Sequence, residues 1–161
     1  MDLNRVGIFG HSGGGFASTK AILAYPDFYK VAVSSAGNHD QRGYLAGWGE
    51  LYNGLLDGDN FVAQANPSLA ANLKGKLLLA AGDMDDNVHM AMTMQVADAL
   101  IKAGKDFDML ILPNRNHSFA RTDGYFIRRL WDYFVTHLMK AQPPKEYTID
   151  QKAIPPMEFP A

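Results

Sequence analysis

The stretch VGIFGHSGGGF, from Val6 to Phe16, constrains the fold more than any other part of the sequence. A short apolar run typical of a buried strand leads into a serine among glycines, and an amphipathic run follows directly. Such a sharp connection requires unusual backbone angles, and side chains at positions 10 and 14 would obstruct it. We therefore predict a strand, a tight turn and a helix, with Ser12 held at the N-terminus of the helix.

Short apolar runs alternate with longer amphipathic runs along the rest of the chain, a rhythm that is typical of the α/β class. Four strands are predicted, at Arg5–Phe9, Lys30–Ser35, Lys76–Gly82 and Phe107–Pro113. Three longer helices are predicted, at about Gly14–Tyr25, Val88–Ala103 and Asp123–Lys140. The fold class expected is therefore α/β, with a mostly parallel sheet of about four strands flanked by helices.

The helices show apolar faces, and two segments fall outside this rhythm. The second helix has an apolar face at Met90, Met94, Ala97 and Ile101, and the last helix has one at Phe126, Leu130, Tyr133, Phe134 and Leu138.

The long segment from Ala36 to Asn66 is expected to be functional or to hold short helices, and NPSLAANL after it predicts a capped short helix. Residues 1–140 are expected to form the domain, and the Pro-rich residues 141–161 are expected to form an extended tail.

Charge and composition exclude several classes of function. The net charge is −2 and there is no basic stripe, so no nucleic acid or membrane partner is predicted. The chain has no cysteine, so it cannot use a thiol nucleophile or a disulfide framework. No targeting segment is recognised, which leaves the cytoplasm and the periplasm both open. Small molecules or peptides are the expected partners, and no cofactor is predicted.

The Ser12 turn can be interpreted either as a phosphate-binding loop or as a turn that supports a nucleophile. Gly10 and Gly15 have the spacing of a phosphate loop, but Phe16 and Ala17 follow where that loop has lysine and serine or threonine. The nucleophile is therefore favoured. A serine hydroxyl is a weak nucleophile, and this type of turn needs an acid and then a histidine base later in the chain.

Suitable side chains follow the third and fourth strands. Asp83, Asp85 and Asp86 follow the third strand, and His117 follows the fourth. The carboxyl ends of parallel strands meet at one edge of a sheet, so Ser12, one of these aspartates and His117 can converge there. The aspartates could instead cap a helix at Asp86 or Asn87. Metal sites are disfavoured, because the sequence lacks the required residues of a calcium loop and a pair of zinc-binding histidines.

Four separated stretches, GHSGGGF, SAGNHDQRGYLAGWGELYNG, GDMDDNVH and NHSF, resemble the prolyl oligopeptidase family of serine peptidases in order and spacing. The resemblance covers about Arg5 to Lys140 and is strongest to the dipeptidyl peptidase IV branch. It implies the C-terminal half of an α/β-hydrolase catalytic domain. It also implies that a peptide bond is hydrolysed through an acyl-enzyme.

The resemblance assigns a role to individual residues. Ser12 would be the nucleophile, His117 the general base and Asp85 the orienting acid, and the Gly13 N–H would be an oxyanion donor. The implied substrate-binding residues are Tyr44 and Trp48 as aromatic pocket walls, Val88 in the same pocket and Asn87 as a hydrogen-bond partner of the substrate backbone. Tyr44 and Trp48 could also simply pack within a long loop.

The sequence departs from the family pattern in ways that leave alternatives open. Gly13 stands where the family usually has tyrosine or a larger residue, and Trp48 stands where the branch often has tyrosine. The family's upstream strands, second oxyanion donor and β-propeller are not within the 161 residues. We therefore expect the isolated chain to be nearly inactive. An esterase or lipase-like hydrolase, or a non-catalytic truncated chain, are the alternatives.

The same absence leads to an expectation about assembly. The apolar strand Arg5–Phe9 has no sequence feature that blunts an unpaired edge, apart from the charge of Arg5. It is expected to pair with its own copy in a homo-oligomer, or with the missing upstream half.

Overall fold

The computed structural model describes residues 2–149, and its centre is a parallel four-stranded sheet in the order β1-β2-β3-β4. The strands are β1 (Gly7–His11), β2 (Val31–Ser35), β3 (Lys76–Gly82) and β4 (Asp108–Leu112). Each strand pairs in parallel with its neighbour in sequence. The predicted α/β class and the predicted four-stranded sheet are confirmed.

Helices and short turns connect the strands. The helices are α1 (Gly13–Ala24), α2 (Ala46–Asn53), α3 (Asn60–Gln64), α4 (Ala91–Lys102), α5 (Phe119–Thr122) and α6 (Gly124–His137). Two 3-10 segments lie at Gln41–Gly43 and Asn66–Asn72. Residues 141–149 have neither helix nor strand, and the rest of the predicted tail lies outside the described residues.

Apolar side chains fill both faces of the sheet. On one face, α1, α4 and the second 3-10 segment cover a cluster that includes Ile22, Leu77 and Leu100. On the other face, α5 and α6 cover a cluster that includes Val33 and Phe126. Strands β2 and β3 are buried on both faces except at Lys76, as is usual for strands in the interior of a parallel sheet. Among residues 2–149, no helix has the length and apolar character needed to cross a bilayer.

Helix α4 packs through a different face from the predicted one. Of the predicted face, Ala97 is buried, but Met94 is 46% exposed and Ile101 is 67% exposed. Met92, Val96 and Leu100 are buried against the sheet instead. The prediction was wrong because the helix is apolar around much of its circumference, and only tertiary packing selects the buried side. In α6 the predicted face is confirmed: Phe126 and Tyr133 are buried, and Leu130, Phe134 and Leu138 pack against the same cluster.

Two boundaries also differ from the predictions. Helix α4 begins at Ala91 instead of Val88, and the residues before it form a turn in which the Asn87 and Val88 amides donate to the Asp85 carboxylate. Strand β1 lies two residues further along the chain than predicted and forms one edge of the described sheet. It is only partly buried, and Phe9 is 64% exposed.

A buried histidine anchors the long segment between β2 and β3. His39 is 1% exposed, and its Nδ1 lies 2.9 Å from the Asn66 side-chain nitrogen. That same nitrogen donates to the Phe16 carbonyl at 3.0 Å, which ties the segment to α1. Burial lowers the pKa of His39 to about 3, so the ring is neutral at pH 7. The segment containing α2 is therefore held beside the start of α1, where Ser12 lies.

Candidate active site

The Ser12 turn has the strained backbone that its sequence predicts. Ser12 has φ 59° and ψ −123°, and α1 begins at the next residue. A non-glycine residue rarely adopts this conformation, which costs about 1–3 kcal/mol. The strain is offset locally: the Ser12 amide donates to the Ser35 carbonyl at 2.9 Å, and the Ser12 carbonyl accepts from the Phe16 amide at 3.0 Å.

Two glycines make the turn possible, although one is not the glycine predicted. A Cβ at Gly10 would collide with the Gly14 backbone, as expected. A Cβ at Gly14 would meet nothing within 4 Å, so the prediction for that position was wrong. Gly15 is the second necessary glycine, because a Cβ there would collide with the Ser35 carbonyl of β2. The close approach of α1 to the sheet therefore depends on Gly15.

His117 lies between Ser12 and Asp85. Its Nε2 is 3.0 Å from Ser12 Oγ, and its Nδ1 is 2.8 Å from Asp85 Oδ2. The three residues follow β1, β3 and β4, so the parallel sheet brings them to one edge although they are far apart in sequence. The His117 side chain is 20% exposed and the Asp85 side chain is 1% exposed. The hydroxyl thus faces an imidazole that a buried carboxylate orients.

The other Asp85 oxygen is fixed by backbone donors. Oδ1 accepts from the Asn87 amide at 3.0 Å and from the Val88 amide at 2.8 Å. Asp83 instead accepts from the Asn114 amide at 2.6 Å, and Asp86 is exposed. Of the three candidate acids, the structure places Asp85 against His117.

The first turn of α1 offers a donor beside the hydroxyl. Gly13 is the first residue of the helix, where backbone N–H groups have no intrahelical carbonyl to bond. These groups and the helix dipole favour a negative charge at this end. The N-terminus of α1 is therefore suited to a negative charge beside Ser12.

The four residues predicted to bind substrate lie in one neighbourhood but differ in accessibility. Tyr44 donates to Asn87 Oδ1 at 2.6 Å, and burial together with the Asp85 charge raises the pKa of Tyr44, which keeps this donor protonated. The Tyr44 and Trp48 rings meet edge to face, with centroids 6.2 Å apart. Val88 is only 2% exposed. Tyr44 therefore braces Asn87, whereas the buried Val88 offers almost no surface to a substrate.

Sequence reasoning missed a second histidine beside the predicted base. The His11 ring lies against the His117 ring with centroids 4.6 Å apart, and its Nδ1 is 3.0 Å from Ser35 Oγ. Burial first, and then the neighbouring His117, lower the pKa of His11 to about 4. At pH 7 this ring is neutral and packs against His117 without adding charge. Its position directly before Ser12 was the available signal.

Two hollows flank Ser12. One of about 460 Å³ lies on the His117 side, between the end of β1 and α6. The other, of about 490 Å³, lies between α1 and α2, and we call it the α1–α2 cleft. Its lining residues are Ser12, Gly13, Gly14, Phe16, Ala17, Asn38, Gln41, Trp48, Tyr52 and Asn53. Trp48 is the one predicted pocket residue in this cleft; Asn38, Gln41 and Tyr52 were not among the predicted site residues.

No group of three or more histidine, cysteine, aspartate or glutamate side chains that could hold a metal ion occurs within residues 2–149.

Comparison with known proteins gives a consistent picture. The model of the prolyl oligopeptidase family matches residues 1–141. Human dipeptidyl peptidase 8 is 36% identical over 124 residues, which is 73% of this chain and 14% of that protein. Dipeptidyl peptidase family member 1 of Caenorhabditis elegans is 30% identical over 141 residues, which is 87% of this chain and 17% of that protein.

A solved structure has the same fold. The dipeptidyl peptidase 4 of Porphyromonas gingivalis superposes with a TM-score of 0.78 at 29% sequence identity. The match covers 86% of this chain and 20% of that structure. The chain thus corresponds to less than a quarter of the length of each of these relatives.

Proposed function

The chain belongs to the prolyl oligopeptidase family, and we propose that it supplies the nucleophile, base and acid of a serine peptidase acting on a peptide. Ser12, His117 and Asp85 take these roles in turn. The observation that carries the proposal is the position of His117, within hydrogen-bond distance of both Ser12 Oγ and Asp85 Oδ2.

Acylation follows from these contacts. Asp85 Oδ2 accepts a hydrogen bond from the Nδ1–H of His117, so the Nε2 lone pair faces the Ser12 hydroxyl. His117 removes the hydroxyl proton as Oγ attacks the peptide carbonyl, and the developing oxyanion lies near the Gly13 amide. The imidazolium then donates its proton to the leaving amine, the C–N bond breaks, and the acyl group remains on Ser12.

Deacylation uses the same groups with water in place of the hydroxyl. His117 takes a proton from water, which attacks the acyl carbonyl, and the proton returns to Ser12 Oγ as the acid product leaves. The buried Asp85 carboxylate stabilises the imidazolium in both steps. The neutral His11 ring, packed against His117, adds no charge that would oppose it.

A set of dipeptide p-nitroanilides and a p-nitrophenyl ester test the reaction class. Amides are far less reactive than activated esters, so amide hydrolysis is the demanding reaction. If the protein is a peptidase, a catalytically active preparation should cleave at least one of the anilides. Cleavage of the ester with none of the anilides would favour an esterase instead.

We also propose a partner for the free edge of β1. The Ser12 amide bonds to Ser35 of β2, and the alternation along a strand then directs the amides of Gly7, Phe9 and His11 away from β2. The exposed Phe9 adds apolar surface to this edge. Such an edge favours addition of another strand. When the chain is alone, the added strand is a second copy of β1; in a longer form, it is the preceding strand of the same domain.

The edge can be blocked at one residue without disturbing the pairing of β1 with β2. Phe9→Pro removes an outward N–H and should convert a dimer of the isolated chain into a monomer. Phe9→Ala is the matched control, because it removes the same aromatic ring but keeps the N–H. Light scattering after size-exclusion chromatography at micromolar concentration gives the masses. A monodisperse wild-type monomer would refute the pairing.

A further inference from the structure

We propose that His11 is a positioning residue, whose ring holds the His117 imidazole in the orientation of a general base. The catalytic meaning of that orientation rests on the proposed function. The contacts of His11 are properties of the fold, and they can be tested without catalysis. His11 is the last residue of β1, directly before Ser12, so the sheet carries it and not a loop.

The base, in contrast, is carried by an exposed loop. Residues 113–116 and Ser118 are exposed, and the His117 side chain is itself partly exposed. The hollow of about 460 Å³ borders the His117 ring, which leaves the ring room to rotate. Single hydrogen bonds contribute modestly to stability, so a side chain that must keep an exact orientation also needs packing against it.

His11 supplies such a contact from the sheet. The two imidazole rings lie at a tilt of 42° with centroids 4.6 Å apart. At this separation the rings touch, so His117 cannot turn towards β1 without colliding with His11. The contact therefore closes one side of the space in which the base could rotate away from Ser12 and Asp85.

Ser35 holds His11 in place. The two residues are paired in the register of β1 and β2, and His11 Nδ1 lies 3.0 Å from Ser35 Oγ. The same hydroxyl donates to the Gly10 carbonyl at 3.1 Å, and the Ser35 carbonyl accepts from the Ser12 amide at 2.9 Å. Ser35 is itself buried. One residue of β2 is thus within hydrogen-bond distance of three consecutive residues of the Ser12 turn, and His11 is the middle one.

Phe119 packs against another side of the His11 ring. The two rings meet edge to face, with centroids 5.4 Å apart, which is a favoured arrangement of aromatic rings. Phe119 comes two residues after His117, is buried, and meets Phe126 of α6 edge to face at 5.0 Å. His11 therefore contacts the base and also the buried residue that anchors the end of the base's loop.

The position next to the base requires a ring without charge. Burial first, and then the neighbouring His117, lower the pKa of His11 to about 4, so its ring is neutral at pH 7. A cation there would oppose the imidazolium that His117 becomes when it takes the proton of Ser12. A small aliphatic side chain would avoid this charge but would leave the ring contact unfilled. A neutral aromatic ring meets both requirements.

Nitrogen NMR of the histidine rings tests the proposal without requiring turnover. In the isotope-labelled 161-residue chain, long-range correlations to the ring nitrogens report which nitrogen carries the proton. The signals missing from His117→Gln identify the base. In mildly alkaline buffer, in which histidine is neutral, we expect His117 to carry its proton on Nδ1. His11→Ala should move both His117 nitrogen signals towards the values of an exposed histidine.

Two further variants separate the ring contact from a general disturbance. His11→Phe keeps a neutral ring in contact with His117 and should keep the wild-type His117 signals. His137→Ala is the matched control, because the His137 ring also packs against a ring, that of Tyr133, with centroids 4.4 Å apart. Tyr133 bonds to Asp108 at the start of β4, so this pair lies at the opposite edge of the sheet from His117. Its loss should leave the His117 signals unchanged.

Ser35→Ala keeps the test decisive if His11→Ala does not fold. It removes only the hydroxyl beside His11, and the His11 Nδ1 then lacks a partner, which favours a turn of the ring towards water. A phenyl ring has no such polar atom, so the same reason does not apply to His11→Phe. We expect Ser35→Ala to displace the His117 signals in the same direction as His11→Ala. Unchanged signals in Ser35→Ala would count against the positioning role.

The rate of reaction of Ser12 with a fluorophosphonate gives a second measurement. The reagent forms an Oγ–P bond with loss of fluoride at an activated serine. We expect His11→Ala to label about 10²-fold more slowly than the wild type, the loss typical of a reacting group displaced by about 1 Å. His11→Phe should recover most of that rate.

The outcomes separate the positioning role from the proposed function. Unchanged His117 signals in a folded His11→Ala variant would overturn the positioning role even if Ser12 is the nucleophile. Signals displaced as far in His11→Phe as in His11→Ala would overturn it as well. Displaced signals in His11→Ala together with a wild-type Ser12 that does not react would support the positioning role and refute the catalytic one.

Discussion

Ser12→Ala is expected to lower the rate of peptide hydrolysis about 10⁶-fold, measured in a preparation of the protein that hydrolyses peptides. The loss is this large because the members of a Ser-His-Asp unit act together. The alanine removes the atom that forms the acyl-enzyme, and His117 then has no hydroxyl to deprotonate. The change should appear in kcat, since Oγ contributes little to binding of the ground state. Initial rates with an excess of substrate, measured on freshly purified variant, give the ratio.

Ser68→Ala is the matched control for this change. The Ser68 hydroxyl donates to the Val62 carbonyl on the segment between β2 and β3, away from the site. Its loss should leave the rate within severalfold of the wild type. A Ser12→Ala variant that retains more than about a tenth of the activity would contradict the assignment of the nucleophile.

Asp85→Asn is expected to lower the rate by about 10⁴ through the tautomer of His117. The asparagine oxygen can still accept from the amides of Asn87 and Val88, which leaves its NH₂ group facing His117 Nδ1. That NH₂ donates to Nδ1 and places the ring proton on Nε2. An imidazole protonated at Nε2 cannot accept the proton of Ser12. The loss should again be in kcat, measured with the same substrates.

Asp86→Asn provides the control for the loss of one negative charge. Asp86 is the next residue and is exposed, so its substitution changes the net charge equally without touching His117. We expect less than a threefold effect. If Asp86→Asn were as damaging as Asp85→Asn, the orienting acid would have been assigned to the wrong residue.

The parts of the fold that the sequence predicted are those with strong local signals. Strand β3 has the predicted bounds, Lys76–Gly82, because a continuous apolar run lies between Gly75 and the polar stretch that starts at Asp83. The position of Ser12 between a strand and a helix followed from its glycines. The parallel order of the strands predicted that Ser12 would lie close to side chains that follow β3 and β4, as Asp85 and His117 do.

The errors arose where tertiary contacts decide between similar local patterns. Met94 and Ile101 are as apolar as the buried residues of α4, so periodicity alone could not select the packed side. The choice of Gly15 over Gly14 depends on the Ser35 carbonyl of β2, which is distant in sequence. The pattern of residues in one sequence does not show which distant residues come into contact.

The α1–α2 cleft was unpredictable for the same reason. Asn38, Gln41 and Tyr52 belong to a segment of weak periodicity, whose course is set by the buried His39 and its contact with Asn66. The resemblance to the family pointed to Trp48 but not to the space that Gly13 leaves beside it. The shape of the pocket therefore had to come from the structure.

The reactivity of Ser12 towards a fluorophosphonate tests the central claim most directly. The reagent forms an Oγ–P bond with loss of fluoride only at an activated serine, and peptide mass spectrometry compares Ser12 with the five other serines of the chain. The account predicts that Ser12 alone is modified within hours and that His117→Gln abolishes the modification. An unmodified Ser12, or equal labelling in His117→Gln, would contradict it.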